Sequence, residues 1–196
     1  MLQRTSALYV DVREEIQDAD IFLWEPSSTY GQLISWASKS PFCHASMAAW
    51  VTFANDKRCL LSLETQERVG GIACKVSDRV REFPGKLHWF QAVNGLDRRS
   101  VVFSFWREVV GGRYGYWNAF LAALRKMIVF RRLLKPIRDD EYRSPHPPYC
   151  SAAIARHMRE AGGVDVFPGL ADDCTWPVHL SQSEVYRYKC ALCVST

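Results

Sequence analysis

The sequence predicts an α+β fold in which an antiparallel β-sheet packs against helices. Three observations lead to this prediction: apolar segments separated by turns in the first half, segments of helical periodicity in the second half, and a composition typical of a packed globule. Of the 196 residues, 48% are hydrophobic and 23% are charged, which argues against disordered and collagen-like chains. A chain of this length suits a single domain over residues 1–196.

The first half contains five predicted strands, and successive strands separated by short turns favour antiparallel pairing. The five segments are 20–24, 43–53, 59–63, 71–76 and 86–93. Turn-forming residues such as Asn55-Asp56-Lys57 and Pro84-Gly85 separate them. Between the first two strands, apolar residues at helical spacing predict a short helix over residues 30–38.

The second half is predicted to be helical. Over residues 116–130 the apolar side chains fall within one wide arc, which predicts a helix that faces the core. A further helix is expected over residues 149–161. Pro147 and Pro148 suit its first turn, and Gly162-Gly163 can supply a left-handed cap at its end.

Cys150 is the best candidate nucleophile in the sequence. It falls in the first turn of the 149–161 helix on the inward face, whereas Arg156 and Arg159 fall on the outward face. Unsatisfied N–H groups and the positive end of the helix dipole stabilise a thiolate at this position. The alternative interpretation is a small buried core residue, because cysteine is among the most buried residue types.

Two residues on predicted strands could assist this thiol. His44 enters an apolar strand whose small residues, among them Ala45 and Ala48, leave room for another element to approach closely. Glu64 ends the next strand. Taken singly, each residue has a structural alternative: a strand histidine in the core, and a solvated carboxylate at a strand end.

Ordered blocks along the chain resemble the permuted papain-like hydrolases of the NlpC superfamily, especially the YiiX-like branch related to lecithin:retinol acyltransferase. The blocks lie within residues 18–183 and read DADIFLWEP, SPFCHASMAAW, LSLETQERVGG, GGRYGYW, PPYCSAAIARHMREAGG and TWPVHLSQS. The resemblance implies a circularly permuted papain-like fold with the nucleophile at a helix N-terminus. It also implies a triad in the order His44, Glu64, Cys150. The stretch over 131–146 matches no block of the family.

The activity that the resemblance implies is that of a cysteine hydrolase, either an amidase or peptidase or an acyl-ester hydrolase, working through a thioester acyl-enzyme. No cofactor or metal is needed for this chemistry. Tyr149 and Tyr114 are candidates for lining the substrate site, and the backbone N–H of Cys150 is a candidate oxyanion donor. Two alternatives stay open: a lipid acyltransferase that uses the same triad, and a non-catalytic binding or assembly module with the same fold.

The seven cysteines are expected to be mostly buried thiols in a reducing compartment, because their number is odd and they are scattered through apolar stretches. A zinc site is the competing interpretation for one cluster, although the spacing of its first half is irregular. That cluster consists of Cys174, His179, Cys190 and Cys193. His157 is expected to be a hydrogen-bonded core histidine.

The formal net charge of +4 arises from one local stretch, since residues 125–138 contain six basic residues and no acidic one. This distribution argues against general nucleic-acid binding. It leaves two hypotheses, an anionic surface contact or complementation of a helix end, for Arg131, Arg132, Lys135 and Arg138. The longest apolar run, 119–124, is too short to span a bilayer. No secretory signal is visible at the first residues, so a cytoplasmic location is expected.

Overall fold

The structure is a computed structural model that describes residues 5–66, 69–112 and 148–194. Within these ranges seven strands form one sheet with helices on both faces, which confirms the predicted α+β class. Several sequence-based predictions lie outside the described residues: the 116–130 helix, Tyr114, Arg131, Arg132, Lys135 and Arg138.

The described elements follow one another in chain order. The strands are β1 (Ser6–Leu8), β2 (Ile21–Trp24), β3 (His44–Thr52), β4 (Arg58–Gln66), β5 (Gly70–Lys75), β6 (Leu87–Ala92) and β7 (Tyr186–Cys193). The helices are α1 (Tyr9–Val12), α2 (Thr29–Ser38), α3 (Val76–Glu82), α4 (Arg98–Val109), α5 (Cys150–Glu160) and α6 (Pro177–Gln182), with short 3-10 helices at Arg13–Glu15 and Asp172–Cys174. The predicted strands correspond to β2–β6, and two predicted helices correspond to α2 and α5.

The strand order is β1-β7-β6-β2-β3-β4-β5. Strand β1 pairs with β7 in parallel, whereas every other neighbouring pair is antiparallel. The antiparallel pairing expected for the first half holds for β2 to β5, whereas β6 pairs with β2 instead of β5, and β1 and β7 extend the sheet beyond β6. Because β3 lies next to both β2 and β4, residues from these three strands can meet at one end of the sheet.

Two apolar layers cover the two faces of the sheet. On one face, α4 and α5 bury side chains such as Phe105 and Ile154 against Met47 of β3. On the other face, Val76 and Val80 of α3 belong to the second layer. Alternate residues of a strand point to opposite faces, so α5 packs on the side of β3 that carries Ala45 and Met47. The full burial of these side chains stabilises the docking of α5 on the sheet.

Helix α5 is enclosed on more sides than its amphipathic pattern predicts. Arg156, which the sequence places on the outward face, is buried and donates to Asp173 at 2.9 Å. Arg159 donates to the neighbouring Asp172. The expectation for Arg156 is therefore wrong, because the 3-10 helix at Asp172–Cys174 covers that side of α5. The contact with this 3-10 helix holds α5, whose first residue is Cys150, in place.

A close backbone contact joins the outer strand β5 to the end of α4. The N–H of Gly71 donates to the carbonyl of Gly112 at 2.8 Å, and the N–H of Gly111 donates to the carbonyl of Gly71 at 2.7 Å. A β-carbon at residue 71 would overlap the carbonyl oxygen of Val109. Only glycine permits so close an approach of two backbones.

None of the helices in the described ranges combines the length and the apolar character that a membrane crossing requires.

Candidate active site

Cys150 begins α5, and the residue is only 5% exposed. The His44 ring and the backbone N–H groups of Ala45 and Ser151 interact with its sulfur and favour its charged form. Burial by itself would raise the pKa of the thiol. The charge of His44 and these three donors outweigh burial, and they hold the pKa of Cys150 below its ordinary value. The surroundings of this thiol therefore favour the thiolate.

His44, the first residue of β3, lies between the thiol and a carboxylate. Its Nε2 lies 3.0 Å from Oε2 of Glu64, and the ring also interacts with the Cys150 sulfur. Burial disfavours the imidazolium, but the Cys150 thiolate and Glu64 favour it more strongly and raise the pKa of His44 to about 10. The thiol and the imidazole are therefore stabilised together as an ion pair.

Glu64 of β4 has no exposed side-chain surface. Besides His44, Gln66 Nε2 donates to Oε2 at 3.1 Å, and Arg79 Nε donates to Oε1 at 2.9 Å. Burial would raise the pKa of this carboxyl, but the contacts with His44, Arg79 and Gln66 lower it. Glu64 is thus held ionised and in one orientation, as a group that positions the His44 ring must be.

Trp24 supports the His44 ring from the neighbouring strand. The two residues are cross-strand partners in β2 and β3, and their rings meet edge-on with centroids 5.7 Å apart. Trp24 Nε1 donates to the Ser46 hydroxyl at 3.0 Å, and the Arg79 guanidinium lies over the indole at 5.9 Å. The indole is therefore held by a hydrogen bond as well as by packing, and it limits the rotation of His44.

An open cleft of about 250 Å³ adjoins His44 and Glu64. The N-terminal part of α2 forms one side of it. The helix packs closely there, since a β-carbon at Gly31 would lie 3.2 Å from the sulfur of Cys43. The cleft is lined by Trp24, Ser27, Ser28, Gly31, Ile34, Cys43, His44, Glu64, Thr65, Gln66, Arg79 and Phe83.

The structure brings together the three residues predicted to form a triad. Tyr149 is buried beside Cys150 in a small apolar cluster, and its hydroxyl donates to the carbonyl of Asp173 at 3.1 Å. Sequence reasoning did not identify Gln66 and Arg79 as neighbours of Glu64. Gln66 was detectable in principle, because it lies two residues after Glu64 on the same face of one strand. No local pattern identifies Arg79, which reaches Glu64 from α3.

The four residues of the alternative zinc site are not assembled into a ligand cluster. Across the described ranges, no group of three or more histidine, cysteine, aspartate or glutamate side chains is placed to hold a metal ion. His179 Nδ1 instead accepts from the backbone N–H of Trp176 at 3.0 Å. His157 is buried and its Nδ1 lies 2.9 Å from the Ser104 hydroxyl, which agrees with its interpretation as a hydrogen-bonded core histidine.

The fold is similar to that of a solved structure, metalloprotein YiiX from Escherichia coli O157:H7 (DUF1105). The two structures align with a TM-score of 0.51 and 15% sequence identity, over 88% of this chain and 96% of YiiX. No protein-family model and no curated protein sequence matches the chain. At this identity the likeness establishes the fold, and the YiiX-like architecture expected from the ordered sequence blocks is confirmed.

Proposed function

We propose that this protein, on its YiiX-like fold, is a cysteine-dependent hydrolase that acts on an amide or ester carbonyl. One observation carries the proposal: a buried thiol, an imidazole and a carboxylate are joined in series beside an open cleft. Cys150 contacts the His44 ring, and His44 lies 3.0 Å from Glu64. Nucleophilic catalysis requires this arrangement, in which a base contacts the nucleophile and a third group orients the base.

In the proposed reaction the Cys150 sulfur attacks the substrate carbonyl carbon and forms a C–S bond. The His44 imidazolium then donates its proton to the departing amine or alcohol, and a thioester remains on Cys150. Neutral His44 next removes a proton from water, whose oxygen attacks the thioester and releases the acid. Glu64 keeps the ring aligned through both steps and stabilises its charged form.

The backbone N–H of Cys150 is the proposed donor to the oxyanion. It belongs to the first turn of α5, where no carbonyl of the same helix can satisfy the N–H groups. A negative charge on the carbonyl oxygen is also favoured there by the helix dipole. The same thioester would serve an acyltransferase if an alcohol or amine replaced water as the acceptor.

YiiX is described as a metalloprotein, but the donors of this site do not fit a metal ion. Glu64 Oε2 is engaged by His44 and Gln66, and Oε1 accepts from Arg79. A guanidinium 2.9 Å from the carboxylate also repels a cation. The proposed mechanism therefore contains no step through a metal.

The proposal is tested by trapping the acyl-enzyme. The protein is incubated with activated peptide, amide and lipid esters, and its intact mass is followed with time. We expect one acyl group, mapped to Cys150 by peptide digestion, which then decays in water. Faster decay on adding an alcohol or amine would identify a transferase. An acyl group that forms equally on Cys150→Ala would contradict the proposal.

Glu64→Gln is expected to lower turnover of a substrate found in this way by about 100-fold, at the lower end of what positioned acid–base catalysis contributes. Cys150→Ala should lose more, because Glu64 positions the base and forms no bond to substrate. Steady-state kinetics measures the difference. The chain offers a matched control in Glu25, which lies 3.0 Å from His88 Nε2: Glu25→Gln should retain turnover. An unchanged rate in Glu64→Gln would remove Glu64 from the mechanism.

A further inference from the structure

We infer that Cys43 is a resolving thiol for Cys150: after a peroxide oxidises Cys150, the sulfur of Cys43 attacks it and forms a disulfide that reversibly stops the hydrolase. The inference rests on the proposed function, because it assigns a redox regulation to the same nucleophile. Both residues are free thiols in the structure. Their placement and their charges carry the inference.

Cys43 lies directly before His44, in the segment of chain that contacts Cys150. The ring of His44 and the backbone N–H of Ala45 interact with the Cys150 sulfur. The charge of Cys150 also acts on the Cys43 thiol, so three successive residues all interact with one sulfur. Consecutive Cα atoms are about 3.8 Å apart, and the backbone of Cys43 is therefore close to the groups that contact Cys150.

One face of α2 packs against the surroundings of both thiols. Cys43 Sγ donates to the carbonyl of Trp24 at 3.5 Å, and a β-carbon at Gly31 would lie 3.2 Å from the same sulfur. Three residues further, on the same face of α2, Ile34 packs against the apolar cluster that contains Cys150. Cys43 and Ile34 line the open cleft, which is wide enough to admit hydrogen peroxide.

The charge of Cys150 sets the order in which the two sulfurs react. Burial and this negative charge raise the pKa of Cys43 to about 12, so Cys43 stays a neutral thiol while Cys150 is a thiolate. Peroxides oxidise the thiolate form of cysteine, which directs the first attack to Cys150. A neutral sulfenic acid on Cys150 no longer repels a charge on Cys43, and the pKa of Cys43 falls. Oxidation of the first thiol therefore activates the second.

The oxidation proceeds in two steps. In the first, the Cys150 thiolate attacks one oxygen of hydrogen peroxide, the O–O bond breaks, and the departing hydroxide takes the proton of the His44 imidazolium and leaves as water. In the second, the Cys43 thiol gives its proton to the now neutral His44, and its sulfur attacks the sulfenic sulfur of Cys150. The S–O bond breaks, and hydroxide leaves with that proton as a second water. The two sulfurs together lose two electrons, which reduce the peroxide.

Hydrogen peroxide treatment of the full chain, followed by mass mapping, tests the inference. The intact mass should fall by about 2 Da, and digestion without reductant should show a disulfide between Cys43 and Cys150. Dithiothreitol should then restore alkylation of Cys150 by iodoacetamide. In Cys43→Ser, oxidation should continue to a sulfinic acid, a gain of about 32 Da that dithiothreitol does not reverse, so the recovered alkylation should be about tenfold lower. Cys59→Ser, which removes a half-buried thiol of β4, should behave as the parent protein.

Alkylation of the untreated protein separates this inference from the proposed function. If iodoacetamide labels Cys150 rapidly but peroxide produces no disulfide with Cys43, the inference is overturned and the nucleophile stays in place. If Cys150 is neither alkylated nor joined to Cys43, both proposals fail. A disulfide from Cys150 to another cysteine, or full recovery of Cys43→Ser in dithiothreitol, would also overturn the role of Cys43. A disulfide between the two residues in a protein that traps no acyl group would support the redox pair and count against the hydrolase.

Discussion

Replacing His44 with alanine will lower the rate at which iodoacetamide alkylates Cys150 at about pH 6.5 by between about tenfold and about 100-fold. The imidazolium holds the pKa of this buried thiol below its ordinary value. Without it, only the backbone N–H groups of Ala45 and Ser151 oppose burial, which favours the neutral thiol. An ordinary thiol of pKa about 8.5 is only about 1% thiolate at that pH. The greater intrinsic nucleophilicity of the more basic thiolate offsets part of this loss.

The pH dependence of the alkylation rate shows whether His44 lowers the pKa of Cys150. In the parent protein the thiolate forms above a lowered pKa, so the rate should approach its plateau at a lower pH than in His44→Ala. In His44→Ala the rate should still be rising with pH at the ordinary thiol pKa of about 8.5. Cys193, which is exposed in the same chain, serves as the internal control. Identical profiles for Cys150 in the two proteins would contradict the ion pair.

Gly71→Ala will destabilise the fold by about 3 kcal/mol or more, at the upper end of overpacking effects. The new methyl group would overlap the carbonyl oxygen of Val109. Because that oxygen belongs to the backbone, no side-chain rotation can relieve the overlap. Strand β5 and the end of α4 must separate, which breaks the two hydrogen bonds between Gly71 and the turn at Gly111 and Gly112. Urea unfolding followed by circular dichroism measures the loss.

Gly95→Ala is the matched control for this substitution. Gly95 has a positive φ of 88°, and a β-carbon there would meet no atom within 4 Å. Its replacement should cost only the backbone strain of about 1 kcal/mol. If Gly71→Ala is no less stable than Gly95→Ala, the close approach of β5 to α4 is wrong.

The strands found by sequence reasoning are those in which apolar runs are bounded by turns, as β2 to β6 are. Sequence reasoning missed α4 and β7, although the sequences of both contain recognisable patterns. In α4, Val101, Phe105 and Val109 recur at helical spacing behind the capping residue Asp97. In β7, Tyr186 and Tyr188 alternate with charged residues. Strand β1, with three residues, is too short to produce a pattern.

Sequence reasoning identified three residues of the candidate site because each lies in a recognisable block, and two of them are the first residue of an element. His44 begins β3 and Cys150 begins α5. The contact between Arg79 and Glu64 could not be predicted in this way. It joins α3 to β4, and only tertiary packing brings these two elements together. The burial of Arg156 was missed for a similar reason: helical periodicity does not show that a later segment, around Asp173, covers the polar face.

The order in which the chain is synthesised delays assembly of the reactive pair. His44 and Glu64 lie on neighbouring strands and emerge from the ribosome well before Cys150, about 100 residues later in the sequence. Their partner thiol arrives only with α5, and β1 cannot pair until β7 follows. Contacts so distant in sequence form late and slowly. A nascent chain therefore exposes a histidine without a nucleophile, and the proposed activity begins only when α5 docks on β3.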